Sequence, residues 1–169
     1  VVVLGSVGGD ASAIVTTLRQ LGYHGVIASD VVAQSLENVV KGAGADAANG
    51  MYQAELSTYP LTGELQNYRK AYEDKCSGGW DAPQGVLFWT EARFTLQAIK
   101  NAGVVNNPDT ILNAMAHTAI QTPFMAGAPT VVLGGEAEYG RARELTTPVA
   151  MNQFSSGQYR TVAVLNHVN

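Results

Sequence analysis

The sequence predicts an α/β fold built on a parallel sheet, and three observations carry that expectation. Short β-branched runs alternate with helical apolar stripes, the loops between them are brief and Gly-rich, and 46% of the 169 residues are hydrophobic against 14% charged. Strand, helix, strand, helix, strand with short connections implies parallel pairing and right-handed crossovers. The apolar content is enough to offset chain entropy, which excludes a disordered chain.

Residues 1–4 are a continuous apolar run, the pattern of a strand covered on both faces. Gly5-Ser6-Val7-Gly8-Gly9 follows as a flexible turn. Asp10 is expected to cap a helix with Ile14, Val15, Leu18 and Leu21 on one face and Gly22 as a left-handed stop. Residues 25–28 read as the second strand and Ser29-Asp30 as a turn and N-cap. Val32, Leu36 and Val39 (or Val40) stripe the next helix, which ends near Gly42, and residues 51–56 read as the third strand. After Pro60, Thr62 caps a helix with Leu65, Tyr68 and Tyr72 on its buried stripe, Cys76 one turn further, and Ser77-Gly78-Gly79 as its breaker. A long helix is expected over residues 83–102, stopped by Gly103. Asn107-Pro108-Asp109 supplies a cap, a proline with pre-set φ and a first-turn acid, so a further helix starts there with Ile111, Leu112 and Met115 as its apolar face. From Gln121 the texture turns to Pro, Gly and β-branched residues. Residues 130–133, 148–154 and 159–165 read as strands, with Ser155-Ser156-Gly157-Gln158 as a hairpin turn.

Charge excludes one function class. Ten Lys+Arg against 14 Asp+Glu give a net −4 with no basic cluster, whereas a nucleic-acid binder needs a cationic stripe. The single cysteine, Cys76, leaves no internal disulfide and no Cys-rich zinc site. His24, His117 and His167 are scattered without metal-ligand spacing. No Gly-x-Ser-x-Gly elbow presents a serine nucleophile, and Glu136 and Glu138 sit in a Gly-rich turn that reads as a solvated loop. The expectation is therefore a protein that is not an enzyme and carries no cofactor or metal. No apolar run approaches the roughly 18–20 residues of a membrane helix. The chain opens directly on a strand without an initiator Met, so further residues are expected upstream.

Three places could hold a ligand. The Gly5–Gly9 turn lies between a strand and a helix, where backbone N–H groups attract anions. It reads as a small-ligand loop at the carboxyl end of a parallel strand, as a tight turn needing glycine, or as a nucleotide loop with atypical spacing. Ser29-Asp30 follows the second strand and should share that rim, Asp30 serving as a cap, a ligand contact or both. Phe88 and Trp89 read as core packing or as a wall over an apolar ligand part.

Taken in order, these segments resemble the C-terminal part of a type I periplasmic solute-binding protein, of the leucine/isoleucine/valine-binding-like receptors of ABC transporters. The resemblance rests on GSVGGDASAIVTTLRQLGYHGVIASD, GADAANGMYQAEL, YRKAYEDKC, TEARFTLQAIKNAG with Asn107-Pro108 after it, and QFSSGQYRTVAVL, and it covers nearly the whole chain. It implies an incomplete type I fold: a three-layer α/β lobe with a parallel sheet, lacking the N-terminal half. Residues 1–81 would be the first part of the C-terminal lobe, 82–133 a crossover with helices of the N-terminal lobe, and 134–169 the return with a terminal hairpin. It implies an extracytoplasmic protein that binds an amino acid or other small organic acid between two lobes and delivers it to a membrane permease. The implied ligand residues are Leu4, Gly5, Ser6, Ser29, Asp30, Phe88 and Trp89. Leu4 stands where the family has an aromatic, and Asp30 falls at the acid that pairs with an amino-acid ammonium. Two alternatives stand beside this reading: a nucleotide-binding α/β enzyme domain using the Gly5–Gly9 turn, and the sensing domain of a receptor with the same fold. Separately, Val86, Trp89, Leu96, Ile99, Ile111, Leu112 and Met115 would leave a large apolar patch without the missing lobe. The chain is then expected to self-associate or to fold those helices back onto itself.

Overall fold

The computed structural model describes residues 1–5, 9–30, 34–76, 80, 82–134 and 144–165. Two sheets organise them. The larger has five strands in the order β1 (Val2–Leu4), β2 (Ile27–Ser29), β3 (Tyr52–Glu55), β7 (Val149–Ser155) and β8 (Gln158–Leu165). The smaller joins β4 (Ala119–Gln121), β5 (Thr130–Leu133) and β6 (Leu145–Thr146) in antiparallel pairing. As expected from the alternation of elements, β1, β2 and β3 are parallel. β7 and β8 then add antiparallel to β3, so the sheet is mixed, not parallel throughout.

The helices α1 (Asp10–Gln20), α2 (Leu36–Ala43) and α3 (Ala45–Ala48) follow the first strands. Leu4, Ile27, Met51 and Phe154 from the sheet meet Ala11, Val15, Leu36, Val39 and Ala48 from these helices in one apolar cluster. Strand residues two apart share a face, so Ser29, Gln53, Glu55 and Asn152 lie on this covered face too. A second cluster joins α4 (Gly63–Glu73) to α5 (Ala82–Ala102): Leu65, Val86, Phe124, Met125 and Ala150, with Tyr68, Trp89 and Trp80 against it. The helix α6 (Pro108–Met115) packs beside α5. Gly103 (φ +68°) ends α5, and Ser156 and Gly157 (φ 52° and 77°) make the β7–β8 hairpin turn, as the sequence predicts.

Several local expectations need correction. Asp10 is the first residue of α1, with Gly9 at the cap, so its carboxylate complements the helix dipole but caps nothing. Leu21 lies beyond the last helical residue and is 79% exposed, because the stripe ends where the helical path does. Asp30 does not cap α2. Ser35 does, its hydroxyl accepting from the Asn38 N–H at 3.3 Å. Cys76 is exposed, since α4 ends at Glu73 and the chain has left the stripe by then. Leu112 is exposed and α6 buries no residue fully. Strands β4 and β6 and the short α3 were not anticipated. Val32, Ser77-Gly78-Gly79, Glu136, Glu138 and His167 lie outside the described residues.

Candidate ligand-binding rim

Register sets the geometry of the rim. Leu4 is paired with Ser29, and Ser29 with Gln53, so the last residues of β1 and β2 and the middle of β3 stand side by side at the carboxyl edge of the parallel strands. In open α/β sheets this edge is where ligands bind. Gly5 is exposed just past Leu4, and Asp30 is half-buried just past Ser29. The structure thus brings Leu4, Gly5, Ser29 and Asp30 together, while Ser6 lies outside the described residues. The Leu4 side chain points into the apolar cluster beneath the rim.

Beneath Asp30 the sheet is polar. Gln53 is 0% exposed, and its Nε2 donates to the main-chain oxygens of Asp30 and Ala54. Among the described residues, the Ser29 hydroxyl and Gln53 Oε1 are buried without a hydrogen-bond partner. Further along the same face, Glu55 accepts from the Leu36 N–H at 2.8 Å and from Asn152 Nδ2 at 2.6 Å. Asn152 Nδ2 also donates to the Ser57 carbonyl at 2.9 Å, and Asn152 Oδ1 accepts from the Thr161 hydroxyl at 2.6 Å. The β7–β8 register slips between Met151 and Asn152, and Asn152 pairs directly with Thr161 beyond the slip. Thr161 in turn accepts from the Tyr59 N–H at 2.7 Å. This network ties α2, β3, β7, β8 and the segment leaving β3 into one unit.

Tyr59 stacks on Tyr159 at 5.2 Å. Burial, and secondarily the negative charge of Glu55 and Glu37, pushes the Tyr59 phenol well above its usual range. Tyr159 moves the same way, mainly through burial. Glu37 itself is held by Arg69 at 2.7 Å, which couples α2 to α4. The guanidinium also bonds Glu73 at 2.9 Å, which keeps it protonated more firmly than usual.

Phe88 and Trp89 stand elsewhere. Trp89 packs edge-on against Phe124 at 4.7 Å, near Tyr68 at 6.5 Å, with the Arg93 guanidinium 5.4 Å over its ring. Phe88 is 61% exposed on α5. Sequence reasoning missed Gln53, Glu55 and Asn152. The signal was present in Met51-Tyr52-Gln53-Ala54-Glu55, where period-two alternation places both polar residues on the inward face with Met51.

A hollow of about 540 Å³ lined by Arg19, Gln20, His24, Asp46, Ala47 and Asn49 opens at the opposite edge, where β2 and β3 begin. The Arg19 guanidinium is already spent on the carbonyls of Ala47, Tyr23, Gly25 and Asn49. Among the described residues no three metal-ligating side chains come together, and no helix is long and apolar enough to cross a membrane.

A mixed-sheet α/β lobe with polar groups gathered at the carboxyl edge of its parallel strands has the layout in which open α/β folds bind ligands. The sequence profile of periplasmic binding proteins matches residues 1–158, and the chain belongs to that family. Solved structures share the fold. A leucine-binding protein LivK from Thermotoga maritima is 19% identical, with a TM-score of 0.62 over 93% of this chain and 42% of its own. A solute-binding protein of an R. palustris ABC transporter, in complex with benzoate, is 16% identical, with a TM-score of 0.69 over 96% of this chain and 42% of its own. The branched-chain amino acid binding protein LivJ from Streptococcus pneumoniae, in complex with isoleucine, is 15% identical, with a TM-score of 0.62 over 94% and 42%. The chain thus spans less than half the length of the structures it matches. No curated protein matches the sequence.

Proposed function

We propose that this chain is part of an extracytoplasmic receptor that captures an amino acid or another small organic acid and presents it to the permease of an ABC transporter. The observation that carries this reading is the placement of Asp30 directly beyond the buried end of β2, beside the exit of β1, in a chain of the periplasmic binding protein family. Asp30 would accept from a ligand ammonium, and the Gly5-Ser6 backbone would line the same rim, with Ser29 buried beneath it. Leu4 would form its apolar base. Residues 1–81 and 134–169 would make up one lobe and 82–133 would reach into the other, where Phe88, exposed on α5, would serve as an apolar contact with Trp89 packed behind it. Closure of two such lobes buries the solute between rims, as hinged binding proteins do.

The neighbours bound to isoleucine and to benzoate support small carboxylates as the first ligands to try. The family match gives no support to the nucleotide-binding alternative. The experiment is a thermal-shift screen of the full-length protein against amino acids and aromatic acids, followed by titration calorimetry of hits against Asp30→Asn. A raised melting temperature with one class, and loss of amine-bearing ligands in D30N, is the expected result. Silence across both panels would overturn the proposal.

A further inference from the structure

We propose that Gln53 is a positioning residue for the ligand rim: from inside the sheet it fixes the exit of β2 and so sets where the Asp30 carboxylate stands. The inference rests on the reading of Asp30 given above. Gln53 sits on β3, in register with Ser29, and is 0% exposed. Its Nε2 donates to the main-chain oxygen of Asp30, one residue past the last strand residue of β2.

The amide orientation is settled by its neighbours. Both groups at Nε2, the carbonyls of Asp30 and Ala54, are acceptors only, so the flipped amide would set oxygen against oxygen. That orientation leaves Gln53 Oε1 buried and unpartnered, and the Ser29 hydroxyl on the paired strand is unpartnered as well. A Leu or Met would fill this position, on the same face as Met51 of the apolar cluster, without stranding an acceptor. Gln53 therefore does something there that packing does not require, and it bonds across to the backbone carrying Asp30, just past the end of β2. Past Ser29 the β2 chain has left the ladder, so this side-chain donor takes over the role of a missing strand partner.

The test uses the full-length protein and the variants Gln53→Met, Asp30→Asn and the pair. Hydrogen exchange without ligand reads the anchor directly. Gln53→Met should speed exchange in the peptide spanning residues 29–36 by about tenfold while the β7–β8 hairpin is unchanged. Calorimetry with L-leucine and with 4-methylpentanoate, the same acid without the amine, reads the consequence. Gln53→Met should weaken L-leucine by about tenfold and 4-methylpentanoate by less than about threefold, and should add nothing in the Asp30→Asn background. Unchanged exchange over 29–36 overturns the inference whether or not either acid binds. Equal losses for both acids overturn it as well, by reducing Gln53 to a packing role. If D30N keeps a preference for the amine, the reading of Asp30 fails and this inference goes with it. If neither acid binds any form, that reading fails for this ligand class, and the inference falls with it however the exchange behaves.

Discussion

Replacing Asn152 with alanine removes the side chain at the centre of the buried network that joins β3 to β7 and β8. The residue is 0% exposed. It donates to Glu55 at 2.6 Å and to the Ser57 carbonyl at 2.9 Å, and accepts from Thr161 at 2.6 Å. A buried bond to a carboxyl group and two bonds to neutral partners, with their partners then stranded, come to about 3–5 kcal/mol. That is a large share of the roughly 5–15 kcal/mol that stabilises a domain. Asn152→Asp makes a sharper test, because it sets a second carboxyl against Glu55. Two carboxyls at that distance cannot both ionise, so the folded state retains a proton that the unfolded chain releases above about pH 4. The folded form then binds more protons, and stability falls as pH rises through and above the usual carboxylate range. Urea unfolding followed by tryptophan fluorescence, between acidic and neutral pH, measures both variants. A loss for N152A below about 0.5 kcal/mol, or a pH profile of N152D parallel to that of the parent, would refute the reasoning.

Other outcomes follow from the same geometry. Tyr59 is raised by burial and by Glu55 and Glu37, so its contribution to stability is complete below the ordinary tyrosine range near pH 10 and is lost as pH climbs beyond it. Tyrosinate absorbance of the native protein should show late-ionising tyrosines, one fewer of them in Tyr59→Phe. Thr62 caps α4 through the Leu65 N–H at 3.2 Å and also donates to the Pro123 carbonyl at 2.7 Å. Thr62→Ala should therefore cost about 1–2 kcal/mol in urea unfolding, and Thr62→Ser should recover most of it. Cys76 is exposed, so a maleimide should label it fully in the native state. Labelling that needs denaturant would contradict the placement.

The parallel core of the fold was legible because its signals are local and redundant. The runs at 1–4 and 51–56, the caps Thr62 and Asn107, and the stops Gly22 and Gly103 each stand where the structure has them. What escaped was short or non-local. β4 and β6 have three and two residues, too few for an alternation to register. Cys76 was misplaced by extending a helical period past the end of its helix, which no residue at Glu73 or Asp74 announces. At the rim, Ser29-Asp30 could be placed from the order of elements alone. The polar floor could not, because Asn152 is 97 residues from Glu55 in sequence and only β-pairing brings them together.

The long helix α5 decides how this 169-residue chain behaves on its own. Of the seven side chains expected to form an uncovered patch, Val86 is buried and Trp89 is packed on Phe124, so the amino-terminal half of the helix has folded back onto the second cluster. Further along, Leu96 is 63% exposed and Leu112 of α6 is exposed, while Phe88 stands clear of the cluster. An open hollow of about 290 Å³ lies nearby, walled by Phe94, Met115, Leu133 and Leu145 with Glu91 and Thr95. Burying a large apolar side chain is worth about 1.5–3 kcal/mol, and pairing two copies through Phe88 and Leu96 covers four of them. That sum, about 6–12 kcal/mol, falls within the roughly 4–15 kcal/mol cost of association, so the expected dimer is weak. Sedimentation velocity over a concentration series should show a rising average mass at high concentration, with Trp89 emission, read in a Trp80→Phe background, blue-shifted throughout because its ring is already packed. Leu96→Glu should abolish the rise without moving that emission. A mass that stays monomeric across the series would refute the association, and a red-shifted Trp89 would refute the folding-back of α5 from which it is argued.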